Sequence, residues 1–164
     1  MLHGYNVNII DIEASGFGPE SYPIEIGIVR KNGERFCSLI KPLDSWCHWS
    51  AEAEALHGIS RALLFKRGME IKPLCRQIND FLGRTTVYSD ALSHDQRWLN
   101  KLFYHAQIVP SFTISAIEYL ANEEQFSHWD RIKKQVFDEQ GQQRHRASID
   151  ALVVQQTLRR VQQI

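Results

Sequence analysis

The sequence predicts an α/β fold in which a mixed five-stranded sheet is flanked by helices. Three observations predict it: an opening strand that is apolar on both faces, an Asn-Gly turn that joins the next two strands into an antiparallel meander, and helical and strand segments that alternate afterwards. Tyr5 to Glu13 is the first strand, with Tyr5, Val7, Ile9, Asp11 and Glu13 on one face and Ile10 and Ile12 on the other. A strand buried on both sides belongs at the centre of a sheet. Pro23 to Arg30 alternates as the second strand, and Asn32-Gly33 turns the chain into a third between Glu34 and Ile40. Leu74, Ile78, Phe81 and Leu82 mark a helix begun near Pro73 and stopped by Gly83. Thr85 to Ser89 is a short strand, followed by a helix from about Ser93 that turns Trp98, Leu99, Leu102 and Phe103 inward. Phe112 to Ser115 is the last strand, before helical stretches near Ile117 and from Glu123 to Glu139. Ala147, Ala151, Val154, Leu158 and Val161 recur at steps of four and three, as on a helix docked by one stripe.

At 164 residues, 43% hydrophobic and 23% charged, the chain can bury a full core without disulfides or a structural metal, and one domain spanning 1–164 is expected. Lys and Arg together number 19, as do Asp and Glu. The broad basic field of a protein that coats long nucleic acid is therefore missing, and a nucleic-acid partner has to be argued from a site. No basic segment precedes a long apolar run and no stretch of about 18 apolar residues occurs, so neither a signal peptide nor a spanning helix is expected, no membrane partner is implied, and the location expected is cytoplasmic. Cys37, Cys47 and Cys75 are odd in number and form no C-x-x-C pair, which opposes a disulfide framework or zinc ribbon.

Carboxylates stand where a core should be. Asp11 and Glu13 leave the same face of the central strand about 6.6 Å apart along the backbone. Ionised carboxylates buried without partners cost several kcal/mol each, so the pair needs cations or donors nearby, unless the strand end simply emerges into solvent. Asp95 lies in the first turn of its helix and on its inward side, where the helix dipole also favours an acid without chemistry; Asp90 is its rival. His145 stands just ahead of the last helix and Asp150 in its first turns, while Arg144 and Arg146 read as solvated. A lone histidine there would be a loop residue in water. Converging carboxylates, however, can hold two divalent ions about 3.5 to 4 Å apart, which suits phosphoryl transfer. Oxygen ligands favour Mg²⁺ or Mn²⁺, and a free histidine titrates near the pH at which it can take a proton from water.

Asp11-Ile-Glu13-Ala-Ser-Gly-Phe17, Pro23-Ile-Glu-Ile-Gly27, Leu56-His57-Gly58-Ile59-Ser60, Asp95-Gln-Arg-Trp-Leu99 and His145-Arg-Ala-Ser-Ile-Asp150 occur once each and in order. With these motifs the chain resembles the DEDDh branch of the DnaQ-like 3′–5′ exonucleases, which includes the epsilon proofreading subunit of DNA polymerase III, RNase T and oligoribonuclease. The resemblance implies a ribonuclease-H-like fold and hydrolysis of phosphodiester bonds at nucleic-acid 3′ ends. It implies that Asp11, Glu13 and Asp150 hold two Mg²⁺ or Mn²⁺, that Asp95 assists, and that His145 is the general base. Ala14, Ser15, Gly16, Phe17 and His57 are then expected to hold the terminal nucleotide. Ala91 and His94 depart from the pattern, occupying places where the family usually carries Asn and Phe, and Ile149 stands where oligoribonucleases have a second aspartate. The expected partners are short or single-stranded 3′ ends of DNA or RNA, with a homodimer left open. A catalytically silent interaction module on the same fold is the alternative.

Overall fold

The computed structural model describes residues 6–141 and 145–164. Strand β1 (Asn8–Ala14) is central in the sheet order β3-β2-β1-β4-β5, with β2 (Pro23–Val29), β3 (Arg35–Leu39), β4 (Thr86–Ser89) and β5 (Thr113–Ala116). β1 to β3 pair antiparallel, and β1, β4 and β5 run parallel. The first strand begins later than its alternation suggests; Tyr5 lies outside the described residues. Gly33 turns the meander with φ +89, a conformation that penalises any residue with a Cβ, and the Arg30 amide closes the hairpin on the Glu34 carbonyl at 2.8 Å.

Helices cover both faces. On one, α3 (Ile71–Leu82) and α4 (Leu92–Ala106) bury Leu74, Ile78, Leu99 and Leu102 against Ile10, Ile12 and Ile26. On the other, α6 (Trp129–Gln140) and α7 (Ala147–Val161) bury Val136, Ala151, Val154 and Leu158 against Ile9 and Val29. Each such Val, Leu or Ile side chain contributes about 1.5–3 kcal/mol, so β1, packed on both faces, anchors the fold. α3 starts two residues before Pro73, which occupies the first turn, where a missing N–H leaves no helical bond unmade.

Two helices, α1 (Ala51–His57) and α2 (Arg61–Arg67), occupy a stretch for which the sequence offers only a motif. Each has seven residues, too few for periodicity, and each is set by its caps: the Ser50 and Ser60 hydroxyls accept the Ala53 and Leu63 amides. The region after β5 resolves into a 3₁₀ turn (Ile117–Leu120), α5 (Glu123–Ser127) and α6. Cys37 and Cys47 are exposed and Cys75 is buried, all as free thiols. Among the described residues no helix is long and apolar enough to cross a membrane.

Candidate active site

Asp11 and Glu13 project from the face of β1 that meets α7, and their cross-strand partners on β2 are Gly27 and Glu25. Asp11 Oδ2 is buried and accepts no hydrogen bond, a loss worth about 1–3 kcal/mol for a neutral acceptor and more for a charged one. Burial raises the Asp11 carboxyl well above the usual range, and the charges of Asp95, Glu13 and Asp150 push it further. Burial, then Asp150, Glu25 and Asp95, raise Glu13 from 4.5 to about 8, while Arg146 opposes them. These carboxylates are held together against their own repulsion, which is what a cation site demands.

Asp95 comes from the start of α4 and is 1% exposed. Its Oδ2 accepts the Ser89 hydroxyl at 2.6 Å, and Ser89 Oγ accepts the Ala91 amide, so the end of β4 seats the helix start. Burial lifts Asp95 to about 7 against the lowering effect of the Ser89 bond. Asp90, its rival, accepts Lys133 Nζ from α6 at 2.6 Å. Burial disfavours the Lys133 charge, but the field and hydrogen bond of Asp90, helped by Asp11 and Asp150, raise its pKa.

His145 and Asp150 meet Glu13: one ligand atom from each lies within 4.8 Å of the others. Burial raises Asp150, and His145 and Lys133 oppose it. His145 holds a left-handed backbone (φ +61), uncommon for a residue with a side chain and costing about 1–3 kcal/mol. The next residue fixes it. Arg146, which its sequence context places in solvent, keeps a side chain 40% exposed yet is clamped to a buried carboxylate. Its Nε and Nη2 bond the buried Glu25 carboxylate at 3.1 and 2.7 Å, and the Ala147 amide donates to Glu25 Oε1 at 2.7 Å. Helix α7 approaches the sheet where Gly27 has no side chain; a Cβ there would stand 2.2 Å from the Ala147 carbonyl carbon. Arg144 lies outside the described residues.

The RNase_T family, described as "Exonuclease", matches residues 9–158. The chain belongs to this exonuclease family. Its members hydrolyse phosphodiester bonds and are typically metal-dependent. No curated protein sequence is significantly similar to the chain. E. coli exonuclease I in complex with a dA16 oligonucleotide superposes with a TM-score of 0.72 at 12% identity, covering 96% of this chain and 40% of that one. The dT13 complex of the same E. coli enzyme gives 0.73 at 15%, covering 95% and 40%. A moderately thermophilic exonuclease I from Methylocaldum szegediense gives 0.72 at 14%, covering 96% and 40%. The chain thus spans about 40% of the length of these enzymes, and at such identities the likeness is one of fold, the ribonuclease-H-like DnaQ type.

Against the family's motifs, the other expected residues are placed unequally. Ala14, Gly16, Phe17, Leu56 and His57 line a cleft of about 380 Å³ that also reaches Asp11, Glu13, Asp95, His145 and Asp150. Ser15 supports that wall from behind. It is fully buried, its hydroxyl accepts the Tyr22 amide and pairs with His48 Nδ1 at 2.9 Å, and its carbonyl accepts the Ser50 amide. His57 is 2% exposed, with Nδ1 taken by the Ile59 amide, while Nε2 faces the Ala14 carbonyl without reaching hydrogen-bond geometry. Burial lowers the His57 pKa. Glu25 and Lys133 escape sequence reading; the signal for Glu25 was a carboxylate inside the apolar run Pro23-Ile-Glu-Ile-Gly27, whereas Lys133 sits in an ordinary polar helix.

Proposed function

We propose that the chain is a 3′–5′ exonuclease that releases mononucleotides from nucleic-acid 3′ ends. Asp11, Glu13, Asp95 and Asp150 would hold two Mg²⁺ or Mn²⁺, and His145 would act as general base. One observation carries this reading: Glu13, His145 and Asp150 converge beside the buried, unpartnered Asp11 Oδ2. The donor set fits hard divalent cations, since it is built of carboxylates whose pKa values are raised by burial first and by neighbouring carboxylates second. When bound, such ions supply Lewis-acid stabilisation of charge on the phosphate and its leaving oxygen.

The residues of the chain do the rest. The wall formed by Ala14, Gly16 and His57 holds the terminal sugar, and Phe17, 64% exposed and 6.2 Å from the His94 ring, offers a face on which a base can stack. A ring nitrogen of His145 takes the proton from the attacking water, next to Glu13 and Asp150, which orient that water. Stacking on Phe17 uses a base face that DNA and RNA share, so ends of either are candidates, and a neutral chain grips few phosphates, which favours short or single-stranded ends. E. coli exonuclease I has been captured with single-stranded oligonucleotides, which supports that choice.

The test is degradation of end-labelled DNA and RNA oligonucleotides with added Mg²⁺ or Mn²⁺. Stepwise shortening from the 3′ end is expected, with no turnover in excess EDTA and none for Asp11→Ala. Full activity in EDTA, an active Asp11→Ala, or loss of a 5′ label first would refute the proposal.

A further inference from the structure

We propose that Lys133 is a further catalytic residue of this site, its ammonium touching the phosphate that is cleaved; the assignment rests on the exonuclease reading. Lys133 comes from α6, an element that supplies none of the sequence motifs. Asp90 draws its Nζ over the end of the sheet at 2.6 Å, and the Asp90 side chain is only 14% exposed, so the ammonium has a fixed seat. A second hollow, of about 440 Å³, lies between α6 and α7 beside the nucleotide cleft. Asp11, Lys133, His145 and Asp150 are common to the walls of both. The ammonium therefore stands on the shared ridge, beside the groups between which the reacting phosphate has to lie.

Charge and valence give the same answer. Asp11, Glu13, Asp90, Asp95 and Asp150 crowd this end of the cleft, and a phosphodiester cannot approach them without cations. Lys133 is a cation that the protein itself places there. Its neighbour Lys134 is spent on Asp138 at 2.8 Å, with its side chain 69% exposed. An ammonium has three protons, and Asp90 takes one, leaving two for phosphate oxygens. Attack on the phosphate concentrates negative charge on those oxygens, and a donor fixed in advance stabilises that charge without reorganising.

The experiment measures binding of thymidine 5′-monophosphate, with thymidine as control, by titration calorimetry at saturating Mg²⁺, alongside oligonucleotide turnover. For Lys133→Met the monophosphate should bind about tenfold or more weakly, as befits a lost charge-assisted hydrogen bond, while thymidine binds as before. Turnover should fall by roughly 10², with Lys133→Arg restoring most of it and Asp90→Asn lying between. Lys133→Gln, neutral but able to bond Asp90, serves in the same way if Lys133→Met does not fold. Unchanged monophosphate affinity in these variants, or an equal loss for thymidine, overturns the assignment. A wild-type chain that degrades no oligonucleotide overturns the exonuclease reading, whereas an active wild type with an equally active Lys133→Met overturns this assignment alone.

Discussion

In the absence of divalent ions, Glu13→Gln should make the protein more stable at pH 8. Glu13 has an ordinary value of 4.5 and is raised to about 8 in the folded chain, so the folded state binds the proton more tightly than the unfolded one. Stability from this group is fully present below about pH 4.5 and is lost as the pH rises through 8. Asp95, raised to about 7, acts in the same direction, as do Asp11 and Asp150. A rise of about 3.5 pH units, at about 1.4 kcal/mol each, sets a ceiling of roughly 5 kcal/mol for Glu13. Burial is the largest cause of that rise, and the repulsion that adds to it is shared with Asp150, Glu25 and Asp95, so removing one carboxylate should return about 2 kcal/mol. For a chain of this length that corresponds to about 4–8 °C in Tm. Thermal melts in EDTA between pH 5 and 9, repeated with Mg²⁺, measure it. The wild-type Tm should fall across the window, the Glu13→Gln curve should be flatter and lie above it at pH 8, and Mg²⁺ should remove most of the wild-type slope. A wild-type Tm that is level or rising from pH 5 to 8 in EDTA, or a Glu13→Gln protein less stable than wild type at pH 8, would refute the electrostatic account.

Three further outcomes are expected. His145→Ala should lower turnover by roughly 10² to 10⁴ and leave divalent-ion affinity within about threefold, measured by single-turnover kinetics and metal titration; unaltered turnover would refute its role as the base. Gly27→Ala should cost about 1–3 kcal/mol or more in denaturant unfolding, because its Cβ meets the α7 backbone and not a movable side chain. The logarithmic salt dependence of oligonucleotide binding should be shallow, with a slope below about 3 in magnitude, since a chain of zero net charge neutralises few phosphates; a steep slope would reveal a longer track.

The sequence made the Asp11 and Glu13 pair legible because a strand has only two faces and, Asn8 apart, the rest of this one is apolar. The Asn32-Gly33 hairpin and the stripe of α7 were legible for the same reason, each being a local rule with a short period. What escaped is what depends on distance along the chain. Arg146 and Glu25 are 121 residues apart, and no local pattern separates an arginine that clamps a buried carboxylate from one in water. Lys133 and Asp90, 43 apart, are a second case. Helices α1 and α2 were missed because seven residues make fewer than two turns, too little for amphipathicity to declare itself. Ser15 reads as part of the cleft wall because its neighbours Ala14 and Gly16 line it, yet its bonds to Tyr22 and His48 turn it inward.

The Glu25–Arg146 clamp also lets the carboxylate cluster be assembled by the protein's own bonds. It joins the start of α7 to β2 through a carboxylate and a guanidinium that are not among the proposed ion ligands, and it presses Arg146 close enough to Glu13 to oppose that residue's protonation. Docking α7 thereby sets His145 and Asp150 beside Glu13 through bonds that the bare polypeptide makes for itself. The fold is held by the polypeptide's own bonds, and an ion relieving the crowded carboxylates adds stability to it, unlike in small domains that stay unfolded until an ion arrives. A scaffold held in this way keeps its shape whether its ions bind tightly or weakly.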